Sequence, residues 1–474
     1  MTDVHPLPIG TDRVTTSETI AVLSPYDGAE LGRVPKCGPD EVDRAVAAAR
    51  DVHSGEMLPA WQRAQVLDRA ARLLEERTEA FARIIAGEAA KPIKTARVEA
   101  QRAVSTFTFA AAEARTLTGD LVPMDASEAG DGKLAFTLRV PIGVVGAISP
   151  FNFPLNLVAH KVAPAIAAGC PVVLKPASQT PLSALALADL LLDECGLPAG
   201  WLSVVTGGGG SVGNALVDHP DVAMITFTGS PEVGWGIRAR APRKKVGLEL
   251  GNNAPVIIEP DADYEGAAEK ISVGGFSHAG QSCISTQRVY VHESIAPEFL
   301  AALVPRVEAL VVGDPLDEAT DVSTLISTDE RDRVASWVEE ARSGGAEVLT
   351  GGEVDGQFLR PTVLANVKPD MLVCAQEVFG PVVAVQTYDD VGDALRLAND
   401  SRYGLQAAIF TADLATALRV VRTLDYGGVL VNEVPTFRAD QMPYGGIRDS
   451  GNTREGPHFA IREMTEQRLV VIQS

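Results

Sequence analysis

Residues 143–154 read Gly-Val-Val-Gly-Ala-Ile-Ser-Pro-Phe-Asn-Phe-Pro, and a second short apolar run follows at Val172-Val173-Leu174-Lys175. Between the two, residues 154–168 suit a helix. The alternation continues through Leu202–Val205, 211–218, Val222–Phe227, 231–240 and Val246–Leu250. Runs this short and this uniformly apolar predict parallel strands covered by helices on both faces. Ser149 to Pro154 falls where the first strand gives way to its helix, and open α/β sheets bind ligands at such strand ends. An Asn152 amide there can donate to a developing oxyanion. An Asn beside prolines is also a common turn or cap residue.

Outward from this stretch the pattern extends both ways. Helices are expected at 39–54, capped by Asp40, and at 58–90, where apolar residues recur three and four apart. The polar segment 123–133 predicts a turn leading into a strand at 134–140. Beyond Gly251 the expected order is strand 287–292, helices 295–311 and 328–343, strand 379–386, helix 390–400, strand 406–410, helix 412–424 and strand 428–432. The fold class is α/β, with two lobes dividing near Gly251 and no solenoid-like repeat.

The 474 residues exceed one ordinary core. A hydrophobic fraction of 46% and a charged fraction of 22% are globular values. The net charge of −21, with no basic cluster longer than Arg243-Lys244-Lys245, argues against nucleic acid or an anionic membrane as partner. Prolines 141, 150, 154 and 164, with Asn152, Asn156, His160 and Lys161, interrupt the apolar stretch Val140–Leu174, so it does not read as a membrane span. Cys37, Cys170, Cys195, Cys283 and Cys374 are widely spaced and suggest no zinc site. The start, Met1-Thr2-Asp3-Val4-His5-Pro6, lacks a signal-like pattern, so a reducing cytoplasmic location is expected.

Three further segments carry chemistry. Gly207 to Gly213 contains GxGxxG at Gly208, Gly210 and Gly213 between a strand and a helix, and Phe227-Thr228-Gly229-Ser230 makes a similar junction. Amides at such helix starts can meet a pyrophosphate, although plain tight turns read the same way. Glu249 lies in an apolar strand between leucines that point the other way. On a buried face its carboxylate would be a general base near neutral pH; on an edge strand it would stand in water. Cys283, in Gly280-Gln281-Ser282-Cys283-Ile284-Ser285, sits among small and polar residues that suit a reactive thiolate. The other four cysteines read as small buried hydrophobes.

In this order the segments resemble the aldehyde dehydrogenase superfamily over nearly the whole chain, from about residue 20 onward. The carriers are Asn152 in P-F-N-F-P, Lys175 in V-L-K-P, F-T-G-S at 227–230, E-L-G at 249–251, G-Q-S-C at 280–283, E-V-F-G-P at 377–381 and P-Y-G-G at 443–446. The resemblance implies an NAD- or NADP-binding domain at 1–120 and 140–250, and a catalytic domain at 251–455. It also implies an oligomerisation element at 121–139 and 456–474, giving a homodimer or homotetramer. Carried over by position, Cys283 is the nucleophile, Asn152 and the Cys283 amide form the oxyanion hole, and Glu249 is the general base. Lys175 and Glu377 hold the two riboses, and Ser230 touches the pyrophosphate. Ser149, Pro150, Phe151, Ser178, Gly208, Gly213, Phe227, Thr228, Gly229, Leu250, Gly251 and Phe379 complete the cofactor site. Phe153, Asn156, His160, Ser282, Ile284 and Arg438 are the substrate candidates.

Departures from the family pattern sharpen the expectation. Asn252 follows Gly251 where many members have a second glycine, and Phe151 replaces a frequent Trp. Strictly NAD-dependent members tend to carry Glu where Ser178 stands, so NADP is admissible. The segments at 149–156, 175–181 and 436–440 are similar to those of lactaldehyde-type dehydrogenases. A helix starting near Pro154 would set Asn152, Asn156 and His160 on one face, lining a polar pocket, with Arg438 at its mouth. A small polar aldehyde is the expected substrate. Glu249 argues against the rival in which CoA takes the acyl group, and an intact Cys283, Asn152 and Glu249 set argues against a catalytically silent relative.

Overall fold

The computed structural model describes residues 4–473, so the reading of Met1-Thr2-Asp3 lies outside them. Four helices come first: α1 (Pro39–Ser54), α2 (Ala60–Glu76), α3 (Thr78–Ala89) and α4 (Ile93–Thr116). Glu41, not Asp40, caps α1: its carboxylate accepts from the Gly38 amide at 2.7 Å. The single helix expected over 58–90 is two, because the chain breaks at Arg77. Helix α4 was not anticipated. Its alanine-rich inner face gives little contrast between apolar and polar sides, yet it packs into the first core through Ala96, Ala100, Ala103 and Phe107.

A five-stranded parallel sheet follows, built from β1 (Val144–Ile148), β2 (Val172–Lys175), β3 (Leu202–Val204), β4 (Val222–Thr228) and β5 (Lys245–Glu249). Its spatial order is β3-β2-β1-β4-β5. The order reverses between β1 and β4, so their carboxyl ends open a crevice where α/β sheets take ligands. Helix α5 (Asn156–Ala168) is buried all along its length. It starts at Asn156 rather than Pro154, because the Glu99 carboxylate accepts from the Leu155 and Asn156 amides at 3.0 and 3.1 Å. Helix α6 (Pro231–Arg240) links β4 to β5.

The second sheet has seven strands: β6 (Pro255–Ile258), β7 (Arg288–His292), β8 (Glu347–Thr350), β9 (Thr362–Ala365), β10 (Val382–Tyr388), β11 (Gln406–Phe410) and β12 (Gly428–Val431). In the order β8-β9-β10-β7-β6-β11-β12 only β8 runs antiparallel to its neighbour. Strands β6, β8 and β9, and helix α7 (Tyr264–Gly274), were not expected. One core gathers apolar side chains from Leu7 to Leu250 and another from Val256 to Val434. The strand Thr465–Gln473 pairs antiparallel with Lys133–Pro141 in a separate three-stranded sheet. Residues Pro457–Glu463 form a helix whose Ile461 joins the first core instead.

Candidate active site

Cys283 lies in the loop joining α7 to β7. Gly280 turns that loop at φ +69°, where a Cβ would strike the Gly380 carbonyl; His278 and Ala279 are also left-handed, at 51° and 54°. The Cys283 sulfur is 2.8 Å from the Tyr444 hydroxyl. Burial pushes the thiol up to about 12, so it rests protonated. The polar loop sequence had suggested a ready thiolate, but the groups closing around the sulfur decide its resting state. Asn152 donates to the Gln281 carbonyl at 2.9 Å, which brings its amide to the same loop.

Glu249 ends β5, an edge strand of the first sheet. It is nevertheless buried, because a distant segment covers the edge. Leu248 N donates to Asn452 Oδ1 at 2.9 Å, and Leu250 N to the Ser450 carbonyl at 3.0 Å. Neither Glu249 carboxyl oxygen has a hydrogen-bond partner. Burial, and then the negative charge of Glu455, raise this carboxyl well above its ordinary range. Glu455 is itself buried, but Lys161 at 3.2 Å and Arg438 at 2.8 Å keep it ionised. Arg438 lines the cavity with its side chain buried, not at an open mouth, and its guanidinium is 3.8 Å from the centre of the Tyr444 ring. The neighbouring Phe437 is exposed.

A cavity of about 500 Å³ reaches the sulfur, lined by Phe153, Asn156, Ser282 and Ile284 together with Arg102 and His278. His160 does not line it. Asn156 reaches the cavity wall, but both residues spend their polarity on one carboxylate: Asn156 donates to Asp440 Oδ1 at 3.1 Å, and His160 Nε2 lies 3.0 Å from that same oxygen. Asn152 precedes the helix and so shares no face with them. Burial works against the Asp440 carboxylate, but the His160 contact and the Arg102 charge hold it well below the ordinary range. Phe153 carries the Lys91 ammonium 3.6 Å from its ring centre, and Lys91 pairs with Glu99 in the interior.

The cofactor candidates lie at the carboxyl ends of the strands of the first sheet, with Ser149 to Phe151 after β1 and Phe227 to Ser230 at the end of β4 on the two sides of the crevice. Ser149 Oγ is buried without a partner, and the buried Lys175 ammonium has only the Pro176 carbonyl at 3.4 Å. Gly213 faces the Lys175 stem, while Gly208 to Gly210 are exposed. Ser178 donates to the Gly207 carbonyl at 3.1 Å, tying two of these loops together. Phe227 packs beneath Gly229, and Leu250 against Gly234 of α6. Ser230 caps α6, accepting from Val233 N at 3.4 Å. The Thr228 hydroxyl is turned inward to Lys161 at 2.7 Å. Gly251 faces the Glu377 carboxylate, which accepts from Asn252 N at 2.9 Å and is pushed by burial to about 8. Phe151 and Phe379 meet edge to face at 5.9 Å beside Pro150. An orphaned hydroxyl at the sheet switch point, an underused ammonium on the next strand and open glycine amides beyond the edge strand fit a dinucleotide. Among the described residues no cluster could hold a metal ion, and no helix is long and apolar enough to cross a membrane.

The model of the aldehyde dehydrogenase family matches residues 13–470. The chain belongs to that family. The dehydrogenase is 48% identical to the 3-sulfolactaldehyde dehydrogenase of Priestia aryabhattai, over 97% of this chain and 96% of the relative. Among solved structures it is similar to the NADP-dependent glyceraldehyde-3-phosphate dehydrogenase of Bacillus halodurans, complexed with NADP. The TM-score is 0.97 at 36% identity, with both chains fully covered. It is also similar to aldehyde dehydrogenase 21 of Physcomitrella patens, in complex with its reaction product succinate, at TM-score 0.96 and 38% identity, covering 100% of this chain and 99% of that one.

Five residues at this site escaped the sequence reading: Tyr444, Glu455, Lys161, Arg102 and His278. Tyr444 stood inside the P-Y-G-G segment, which served only as a family mark. Arg102 and His278 sit in stretches without a motif. Lys161 and Glu455 gain meaning only once the fold brings them within 3.2 Å of each other.

Proposed function

We propose that this dehydrogenase oxidises a small polar aldehyde, with an anionic or hydroxylated end, to its carboxylic acid, using NAD or NADP. The observation that carries the reading is the Arg102 guanidinium in the cavity that ends at the Cys283 sulfur. A cation there rewards a carboxylate, phosphate or sulfonate on the substrate and is wasted on an alkyl chain. The printed activities of the Priestia and Bacillus relatives, on sulfolactaldehyde and glyceraldehyde 3-phosphate, support the same class. His278 adds a neutral ring with no hydrogen-bond partner on either nitrogen, suited to a hydroxyl.

In this reading the Cys283 thiol loses its proton and adds to the carbonyl carbon. The oxyanion takes hydrogen bonds from the Asn152 amide and the Cys283 N–H. A bound nicotinamide supplies the hydride acceptor. The crevice residues hold it, with Lys175 and Glu377 toward the riboses and the loops at Gly208 and Gly229 toward the pyrophosphate. The thioester left on Cys283 is hydrolysed by water that Glu249 deprotonates, since a carboxyl with a raised proton affinity is a competent base near neutral pH. The lobe at 1–120 and 140–250 is assigned the cofactor, and the lobe at 251–455 the nucleophile. Exposed Leu121, Leu134, Leu138, Leu469 and Ile472 on the three-stranded sheet support contact with a second copy of the chain. Five unpaired cysteines suit a reducing compartment such as the cytoplasm.

The test compares kcat/KM for lactaldehyde, glyceraldehyde 3-phosphate, succinate semialdehyde and hexanal with both cofactors. The polar substrates are expected to lead. A clear win for hexanal overturns the assignment.

A further inference from the structure

We infer that Tyr444 is a catalytic residue of this reaction, donating its hydroxyl hydrogen to the Cys283 sulfur as the attacking thiolate forms. The inference rests on the assignment of Cys283 as nucleophile and goes beyond it. Three observations carry it. The Tyr444 oxygen and the Cys283 sulfur are 2.8 Å apart, closer than most contacts to sulfur. The Tyr444 backbone is pinned to Glu455 by a reciprocal pair, Tyr444 N to Glu455 O at 3.2 Å and Glu455 N to Tyr444 O at 2.6 Å. The Arg438 guanidinium lies over the phenol ring at 3.8 Å, and Glu455 holds it there.

The chemistry follows from this stack. Taking the thiol proton away inside a buried pocket is costly, and ionisation of Glu377 or Glu249 beside it makes it costlier still. Tyr444 and the Arg438 charge are the two groups facing the sulfur that favour the anion. A cation against the ring face draws electron density from the ring, so the hydroxyl becomes a stronger donor. In the step itself the S–H bond breaks and its proton passes to water in the cavity that reaches the sulfur. The sulfur lone pair forms the S–C bond, and the carbonyl π pair moves onto oxygen. Tyr444 keeps its own proton throughout, so it stabilises charge and is not the base.

The experiment measures the rate of S-alkylation of Cys283 by iodoacetamide against pH, read by mass spectrometry, in cofactor-free enzyme. Tyr444→Phe is compared with wild type, and so is an enzyme carrying 3-fluorotyrosine at position 444, whose phenol is a stronger donor. The four buried cysteines report on folding. For Tyr444→Phe the profile is expected to move up by about one pH unit, with alkylation on the order of ten-fold slower at pH 8. For fluorotyrosine it is expected to move down. Superposition of the Tyr444→Phe profile on wild type overturns the inference, and so does a fluorotyrosine profile that stays in place. The fluorinated enzyme decides alone if Tyr444→Phe exposes the other cysteines. Alkylation reads the thiol without turnover, so it stays separate from the nucleophile assignment, which fails if Cys283→Ala still oxidises aldehydes.

Discussion

Arg102 Nη2 donates to Asp440 Oδ1 across 2.9 Å, joining α4 to the loop that carries Arg438. The same carboxylate oxygen meets Asn156 and His160, so one buried anion organises this wall of the pocket. Arg102 has donors to spare and is partly exposed toward the cavity, whereas Asn156 and His160 spend their polarity on Asp440.

Substrate charge should therefore be read by Arg102. Arg102→Met is expected to lower kcat/KM for an anionic aldehyde such as succinate semialdehyde by ten-fold or more, about 1.5–3 kcal/mol. Neutral lactaldehyde should change by less than about three-fold, which is under 1 kcal/mol. An equal loss for both substrates would mean that Arg102 only props up the wall.

Asn156→Leu and His160→Leu should act on stability instead. Each removes a partner of a buried carboxylate, at a cost of about 1–3 kcal/mol. Thermal melts are expected to fall, while the ratio of kcat/KM between lactaldehyde and hexanal stays near its wild-type value. A changed ratio at unchanged stability would show that these two residues select the substrate.

The contrast between these sites marks what the sequence could carry. Strand and helix periods are local, so β1 to β5 and the crevice at Ser149 and Gly229 were readable in advance. Glu249 was readable as a residue of an apolar strand but not as buried, because Ser450 and Asn452, far along the chain, cover its edge. The spacing of Asn156 and His160 put them correctly on one helix. Which way that helix faces depends on Thr106 from α4 and Asp440 from a distant loop, and no local pattern encodes either. Arg438 was expected at the pocket mouth; Glu455 and the Tyr444 ring draw its guanidinium inward.

Cofactor choice is expected to turn on Ser178. Its hydroxyl is bonded to the Gly207 carbonyl and it carries no charge near Lys175. Wild type should accept NADP. Ser178→Glu should weaken NADP binding by about 1–3 kcal/mol through repulsion of the 2′-phosphate, with NAD less affected. Fluorescence titration of both cofactors checks this, and a wild type without measurable NADP binding removes the basis for it.

Gly251 lets the Glu377 carboxylate reach the Asn252 amide. A Cβ at 251 would overlap that carboxylate. Gly251→Ala is expected to displace Glu377 and weaken NAD(P) binding several-fold while the global melt falls by only a few degrees. Unchanged binding would show that Glu377 does not need this approach.

Glu249→Gln makes opposite demands on catalysis and stability. Burial, and then Glu455, raise the proton affinity of this carboxyl in the fold. Unfolded, it titrates near the ordinary value of about 4.3. Between that pH and its raised native value the folded state binds more protons than the unfolded one. Stability therefore falls as pH rises through this window, and the contribution is fully present only below it. Gln cannot ionise, so Glu249→Gln should melt higher than wild type at pH 8 and gain less at pH 5. Catalysis should move the other way. Acylation survives without the base but hydrolysis stalls, leaving a burst of about one NAD(P)H per subunit and slow turnover afterwards. Calorimetry at the two pH values and stopped-flow absorbance at 340 nm give both answers on one variant. Wild-type turnover in Glu249→Gln would assign the water to another base. A melt that gains no more at pH 8 than at pH 5 would mean that the carboxyl is not proton-bound in the fold.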